Sequence, residues 1–162
     1  MHATDLHRSL PSLFSELVFG APETGAYILN RGDPGLLKSL DRLNAQDASR
    51  SSQGGATVAA HAAHLAFGLS LLNRWAGGEA NPFEGANWGK AWEVGEVDET
   101  EWAGIKRELQ GEVERWHRAL QSERAVSGME LDGVIGSIAH LAYHLGAIRQ
   151  VVAELRGPKA ND

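Results

Sequence analysis

Residues 127–156 read SGMELDGVIGSIAHLAYHLGAIRQVVAELR. Leu131, Val134, Ile135, Ile138, Leu141, Leu145, Ile148, Val152 and Leu155 recur at steps of three and four, the signature of a helix with one apolar face. Ser127 and Glu130 stand three apart at the front, the spacing of a capping box, and Gly157-Pro158 follows as a stop. A helix from Met129 to Arg156 spans about 42 Å at about 1.5 Å per residue. That length sets the scale of the whole molecule and calls for other helices to cover its apolar face.

Working back along the chain supplies them. Asp98 and Glu101 form a variant of the capping box. Behind them Trp102, Ile105, Leu109, Val113, Trp116 and Leu120 make an apolar stripe. Thr57 to Trp75 is a strongly helical segment closed by Gly77-Gly78. Asp33-Pro34 suits the start of a short helix carrying Leu36, Leu37, Leu40 and Leu43. Near the N-terminus Leu6, Leu10, Leu13, Leu17 and Val18 keep helical spacing, and Pro11 predicts a kink or a second start there. Residues 44–56 are polar and small and read as a loop. Residues 79–97, with Trp88 and Trp92, are a long connection of the kind that is functional or packed by its own aromatics.

No alternation of period two runs for any length. The expected class is all-α: a single domain over residues 1–162, built as a four-helix bundle with one extra short helix and long connections. Of the residues, 43% are hydrophobic and 22% charged, ordinary for a folded chain. Fifteen Lys and Arg face 21 Asp and Glu, giving a net charge of −6 without a basic run, which disfavours nucleic acid as a partner. The absence of cysteine removes disulfides, thiolate metal sites and cysteine nucleophiles. The opening Met1-His2-Ala3-Thr4-Asp5 lacks the stretches of a signal peptide, and no apolar run reaches the roughly 20 residues of a membrane span. A cytoplasmic protein, off the membrane, is the expectation.

The chemistry lies in the histidines. His61 and His64 share one helix, and His140 and His144 another. Residues three and four apart share a helical face, so His140 and His144 can aim two imidazoles at one point. A third imidazole from the facing helix completes a three-nitrogen site for zinc, nickel, copper or iron(II). Three protein ligands leave positions open for water or substrate. Alanines around His64 and His140, and Gly146 after His144, leave room between the helices. His64 and His61 compete for the third position; His61 either replaces His64 or supports it. The competing explanation is that His140 and His144 are two unrelated edge histidines. His2, His7 and His117 default to solvent or packing.

The segments Thr57-Val58-Ala59-Ala60-His61-Ala62-Ala63-His64-Leu65-Ala66 and His140-Leu141-Ala142-Tyr143-His144-Leu145-Gly146 resemble the DinB-like (YfiT-like) metal-binding bundles. The resemblance follows the element order over nearly the whole chain, but only the histidine segments are specific. It implies an up-down-down-up arrangement and a divalent ion, zinc or nickel first, on His64, His140 and His144. It also implies hydrolase-type chemistry or transfer of a low-molecular-weight thiol onto an electrophile. The sequence departs from that pattern twice. Phe67 and Gly68 stand where many members have an acidic residue, and Gly146-Ala147 stands where many have Gly-Gln.

Other motifs add little. No His-Glu-x-x-His is present, which leaves a zincin-type protease unsupported. Arg31-Gly32-Asp33 is better explained by Asp33 as a helix cap than by cell adhesion. The face Glu108, Glu112, Glu114 reads as solvated. Trp88 and Trp92 either cover the mouth of a metal pocket or anchor their loop. Tyr143 and Asn87 are the only candidates for a base, and neither is compelling. Three functions follow: a metal-dependent enzyme acting on a small molecule or thiol, a metal- or small-ligand-binding module without turnover, and a structural or homodimerising bundle whose histidines are spectators.

Overall fold

The computed structural model describes residues 3–122 and 126–159. Among them the chain is all-helical, with six α-helices: α1 (Ala3–Phe19), α2 (Gly35–Asp41), α3 (Ala45–Ala48), α4 (Val58–Ala76), α5 (Glu99–Gln121) and α6 (Gly128–Val151). Single 3-10 turns follow at Lys90–Glu93 and Ala153–Leu155. The principal contacts between the long helices run from α1 to α5, from α5 to α4, from α4 to α6 and from α6 back to α1. Phe14 and Leu17 of α1, Leu65 and Ala66 of α4, Trp102 and Leu109 of α5, and Leu141 and Ile148 of α6 belong to one continuous buried core.

The caps sit where the sequence places them. The Thr57 hydroxyl accepts the N–H of Ala60 (3.0 Å). Asp98 with Glu101, and Ser127 with Glu130, form complete capping boxes at the starts of α5 and α6, which satisfy backbone donors that a helix start otherwise orphans. Two buried indoles find acceptors: Trp102 Nε1 donates to the Leu43 carbonyl (2.9 Å) and Trp116 Nε1 to Ser137 Oγ (3.0 Å).

Several expectations need correction. α1 passes through Pro11 as one helix instead of restarting there. Residues 44–56 are not wholly loop, because Ala45–Ala48 forms a helical turn capped by the Asn44 side chain. α6 ends at Val151 and not at Arg156; the chain tightens into a 3-10 turn that still buries Leu155. Ile135 lies on the exposed side of α6, one position out of the core stripe. Glu112 is not solvated: it is only 8% exposed, accepts from Asn73 Nδ2 on α4 and pairs with Arg115.

Two buried carboxylates organise the connection between α1 and α2. Glu16 accepts the backbone N–H groups of Tyr27 (3.0 Å), Ile28 (2.7 Å) and Leu29 (2.5 Å). Asp33 is not the cap of α2, which starts at Gly35 with Pro34 in the cap position and no side-chain cap bond; it accepts the N–H of Gly35 (2.9 Å) from one residue further out and also pairs with Arg149 of α6 (2.7 Å). The entry into α2 demands glycine at position 35: its φ is +72°, and a Cβ there would lie 2.5 Å from the Gly20 nitrogen.

Candidate metal centre

The site forms where α4 and α6 face one another. His61 and His64 lie one turn apart on α4, and His140 and His144 one turn apart on α6. The Nε2 atoms of His140 and His144 are 2.8 Å apart, and those of His64 and His140 are 3.2 Å apart. His64, His140 and His144 can each present one nitrogen with all three within 4.8 Å of one another; it is the one such cluster among the described residues. His64 and His144 are buried and His140 is half-buried. Three histidines brought together in this way could hold a metal ion.

The donor set fits one. Nitrogen ligands at about 2.0–2.1 Å from a tetrahedral zinc stand about 3.3–3.4 Å from one another, within roughly half an ångström of the two separations above. Burial pushes the pKa of all four rings down. His144 falls to about 3, from burial first and then from its neighbours His140, His61 and His64. His64 falls to about 4, from burial and then from His140 and His61. Burial also lowers His61 and His140. Near neutral pH the rings are therefore uncharged and their lone pairs free of competing protons, the state a metal ligand needs. A neutral imidazole has only one N–H to give, and a shared cation satisfies three converging lone pairs at once.

His61 does not replace His64. Its Nδ1 lies 2.8 Å from Nδ1 of His144, on the other edge of that ring from the Nε2 that meets His140. Between two such nitrogens one donates and the other accepts; with Nδ1–H of His144 as the donor its Nε2 lone pair is free for an ion, and His61 then orients His144 in the manner of an outer partner to a metal-bound imidazole. His64 has no such partner. Its Nδ1 is buried without a hydrogen bond, and its ring is held by stacking.

The stacking comes from the loop between α4 and α5. Trp92, in the 3-10 turn, lies over His64 with ring centroids 4.2 Å apart and planes 27° from parallel. It also meets His61 edge-on at 5.4 Å. Trp88 packs against Phe67 at 5.3 Å and against His64 at 5.8 Å. The two indoles therefore cover the histidines and anchor their loop by the same contacts. The Thr57 hydroxyl, which caps α4, also donates to the Val94 carbonyl (3.1 Å), tying the start of the histidine helix to the covering segment.

The remaining candidates separate cleanly. Asn87 Oδ1 accepts the N–H of Lys90 (3.2 Å) and so closes a turn. Tyr143 packs edge-on against His144 at 5.1 Å but is 69% exposed, on the outer side of α6. His117 packs against Phe14 and Phe19, away from the cluster. His2 lies outside the described residues. No family model, curated protein or solved structure matches the chain. No helix of the described residues is long and apolar enough to cross a membrane.

Proposed function

We propose that the chain is a DinB-like four-helix bundle of the up-down-down-up type, working in the cytoplasm as a metal-dependent enzyme on a small molecule. His64, His140 and His144 would hold a divalent transition-metal ion, zinc or nickel. The reaction class is transfer of a low-molecular-weight thiol or hydrolysis. The observation that carries this reading is the convergence of three imidazole nitrogens from two helices in an apolar, aromatic-covered setting. The cycle of contacts α1–α5–α4–α6 supports the bundle. An ion on three rings, when bound, supplies Lewis acidity and lowers the pKa of a thiol or water in an open position. The protein's own share is to keep the rings neutral, to aim His144 through His61, and to hold His64 under Trp92.

A second reading, binding without turnover, is favoured by Phe67. Its ring packs on Trp88 at the place where the resemblance calls for an acidic side chain, so the site lacks that base. Elemental analysis of untagged protein tests the metal. About one ion per chain is expected in the wild type, lost in His144→Ala; equal content in both would make the histidines spectators in a structural or homodimerising bundle. Consumption of a small thiol in the presence of a panel of electrophiles then separates turnover from binding.

A further inference from the structure

The groove between α4 and α6 does not end at the histidines. It continues as a pocket of about 230 Å³ whose walls include Leu65, Leu69 and Leu72 of α4, Gly136 and His140 of α6, and Trp88 from the covering loop. The residues on each wall are three and four apart, so the pocket follows the helix axes away from the cluster. At Gly136, on its exposed rim, there is room for a side chain: a Cβ there would meet nothing within 4 Å.

The wall is chemically one-sided. Its one hydroxyl, that of Ser137, is already used twice, donating to the Val134 carbonyl (2.7 Å) and accepting from Trp116 Nε1 (3.0 Å). The other polar side-chain groups of the wall are the His140 ring at one end, whose Nε2 already faces His64 and His144, and the indole N–H of Trp88. A polar or charged group placed along the pocket would lose water without gaining a partner, which is costly; a hydrocarbon would gain. A dry cavity of about 150 Å³ accepts benzene, so this one has room for a ring or chain of six carbons and somewhat more.

We propose that the molecule acted on has two parts: a donor head, thiolate or oxygen, that takes an open position beside His140, and an uncharged aliphatic or aromatic group of about six carbons that lies along α4 and α6 under Trp88. This deepens the metal-site reading and rests on it for the head; the apolar half can be tested without metal.

Two measurements on the full chain test it. In metal-free protein, 1-hexanol should shift the methyl NMR signals of Leu65, Leu69, Leu72 and Leu141, and the shifts should vanish in Gly136→Leu, where a side chain occupies the space. Absence of shifts in the wild type overturns the proposal. In protein loaded with cobalt(II), the thiolate charge-transfer band should report binding of ethanethiol, butanethiol and hexanethiol. Affinity should rise about threefold to fourfold per methylene. The rise should flatten in Gly136→Leu and in the independent variant Leu72→Phe, with ethanethiol binding unchanged. A flat series on cobalt-loaded wild type sinks this inference and leaves the metal site standing. Failure to take up cobalt, with hexanol still bound, sinks the metal reading and the two-part substrate with it.

Discussion

Nδ1 of His61 and Nδ1 of His144 stand 2.8 Å apart, while Nε2 of His144 turns toward His140. One imidazole is thus engaged on both edges, and His144 is the most buried ring of the group at 1% exposure. If His61 serves as the outer partner of a ligand, its loss should weaken the metal without abolishing the site. His61→Ala is expected to lower affinity about 10-fold to 100-fold, read by competition with a chromophoric chelator, with about one ion per chain still bound at saturation. Retention of wild-type affinity would show that His144 is oriented by packing alone.

Acid should destabilise the metal-free fold, and the sign follows from the buried rings. His64 and His144 have folded pKa values of about 4 and about 3, below the roughly 6.5 of an unfolded histidine. Between those limits the unfolded chain binds more protons than the folded one, so stability is full above about pH 6.5 and declines as pH falls toward 4. Thermal melts of metal-free protein at pH 7.5 and pH 5 should differ by several degrees, the lower pH melting first. In His64→Gln/His144→Gln the difference should shrink. An unchanged difference in that double variant would assign the acid sensitivity to other groups.

Trp92 holds His64 by its ring face alone, since Nδ1 of that histidine is unpartnered. Trp92→Ala should therefore loosen His64 and open the cluster to solvent. Removal of bound metal by EDTA should accelerate several-fold, measured by stopped flow. The melting temperature should fall as well, by several degrees, because Trp92 is 39% exposed and the covered part of so large a ring is apolar area of about 3 kcal/mol. Unaltered removal kinetics would reduce Trp92 to a loop anchor.

The ion pair between Asp33 and Arg149 is buried at the carboxylate and half-buried at the guanidinium, and it joins the segment before α2 to the last turns of α6. Asp33→Ala leaves the guanidinium uncompensated and should cost about 3–5 kcal/mol, a fall of roughly 10 °C or more in Tm. Asp33→Leu combined with Arg149→Met should recover much of that loss, because both charges then leave together. Equal destabilisation by the single and double variants would refute the pairing as the cause.

The helices were readable because their signals are local. Ser127 and Glu130, Asp98 and Glu101, and Thr57 each mark a helix start within four residues, and the caps form there. That a histidine of α4 would meet His140 and His144 was also legible, since spacing on a helix fixes the face that a side chain occupies, whereas the preference for His64 over His61 came from the resemblance alone. What failed to show depends on partners distant in sequence. Glu112 sits among exposed acids on its own helix, and only Asn73, 39 residues earlier, reveals why it is buried. Pro11 lies inside α1 although proline disfavours a helix interior, and its side chain is buried. Trp92 carries no periodicity, so the sequence could set covering the pocket and anchoring the loop only as alternatives, and its seat on His64 shows in the fold alone. His61 and His64 present the same residue type to the same region, and only the geometry assigns one to the cluster and the other to the far edge of His144.

The double use of the Thr57 hydroxyl, toward Ala60 and toward Val94, makes the stretch from Gly77 to Glu93 a tethered arc. One foot leaves the C-terminal end of α4 at Gly77 and the other is pinned to its N-terminal end at Thr57, so the arc runs back along the whole helix, and its middle can lengthen at small entropic expense, about 0.6 kcal/mol for each doubling. Descendants of this chain could thus exchange the rim around the histidines, and with it the molecules admitted, while the ligands themselves stay where they are.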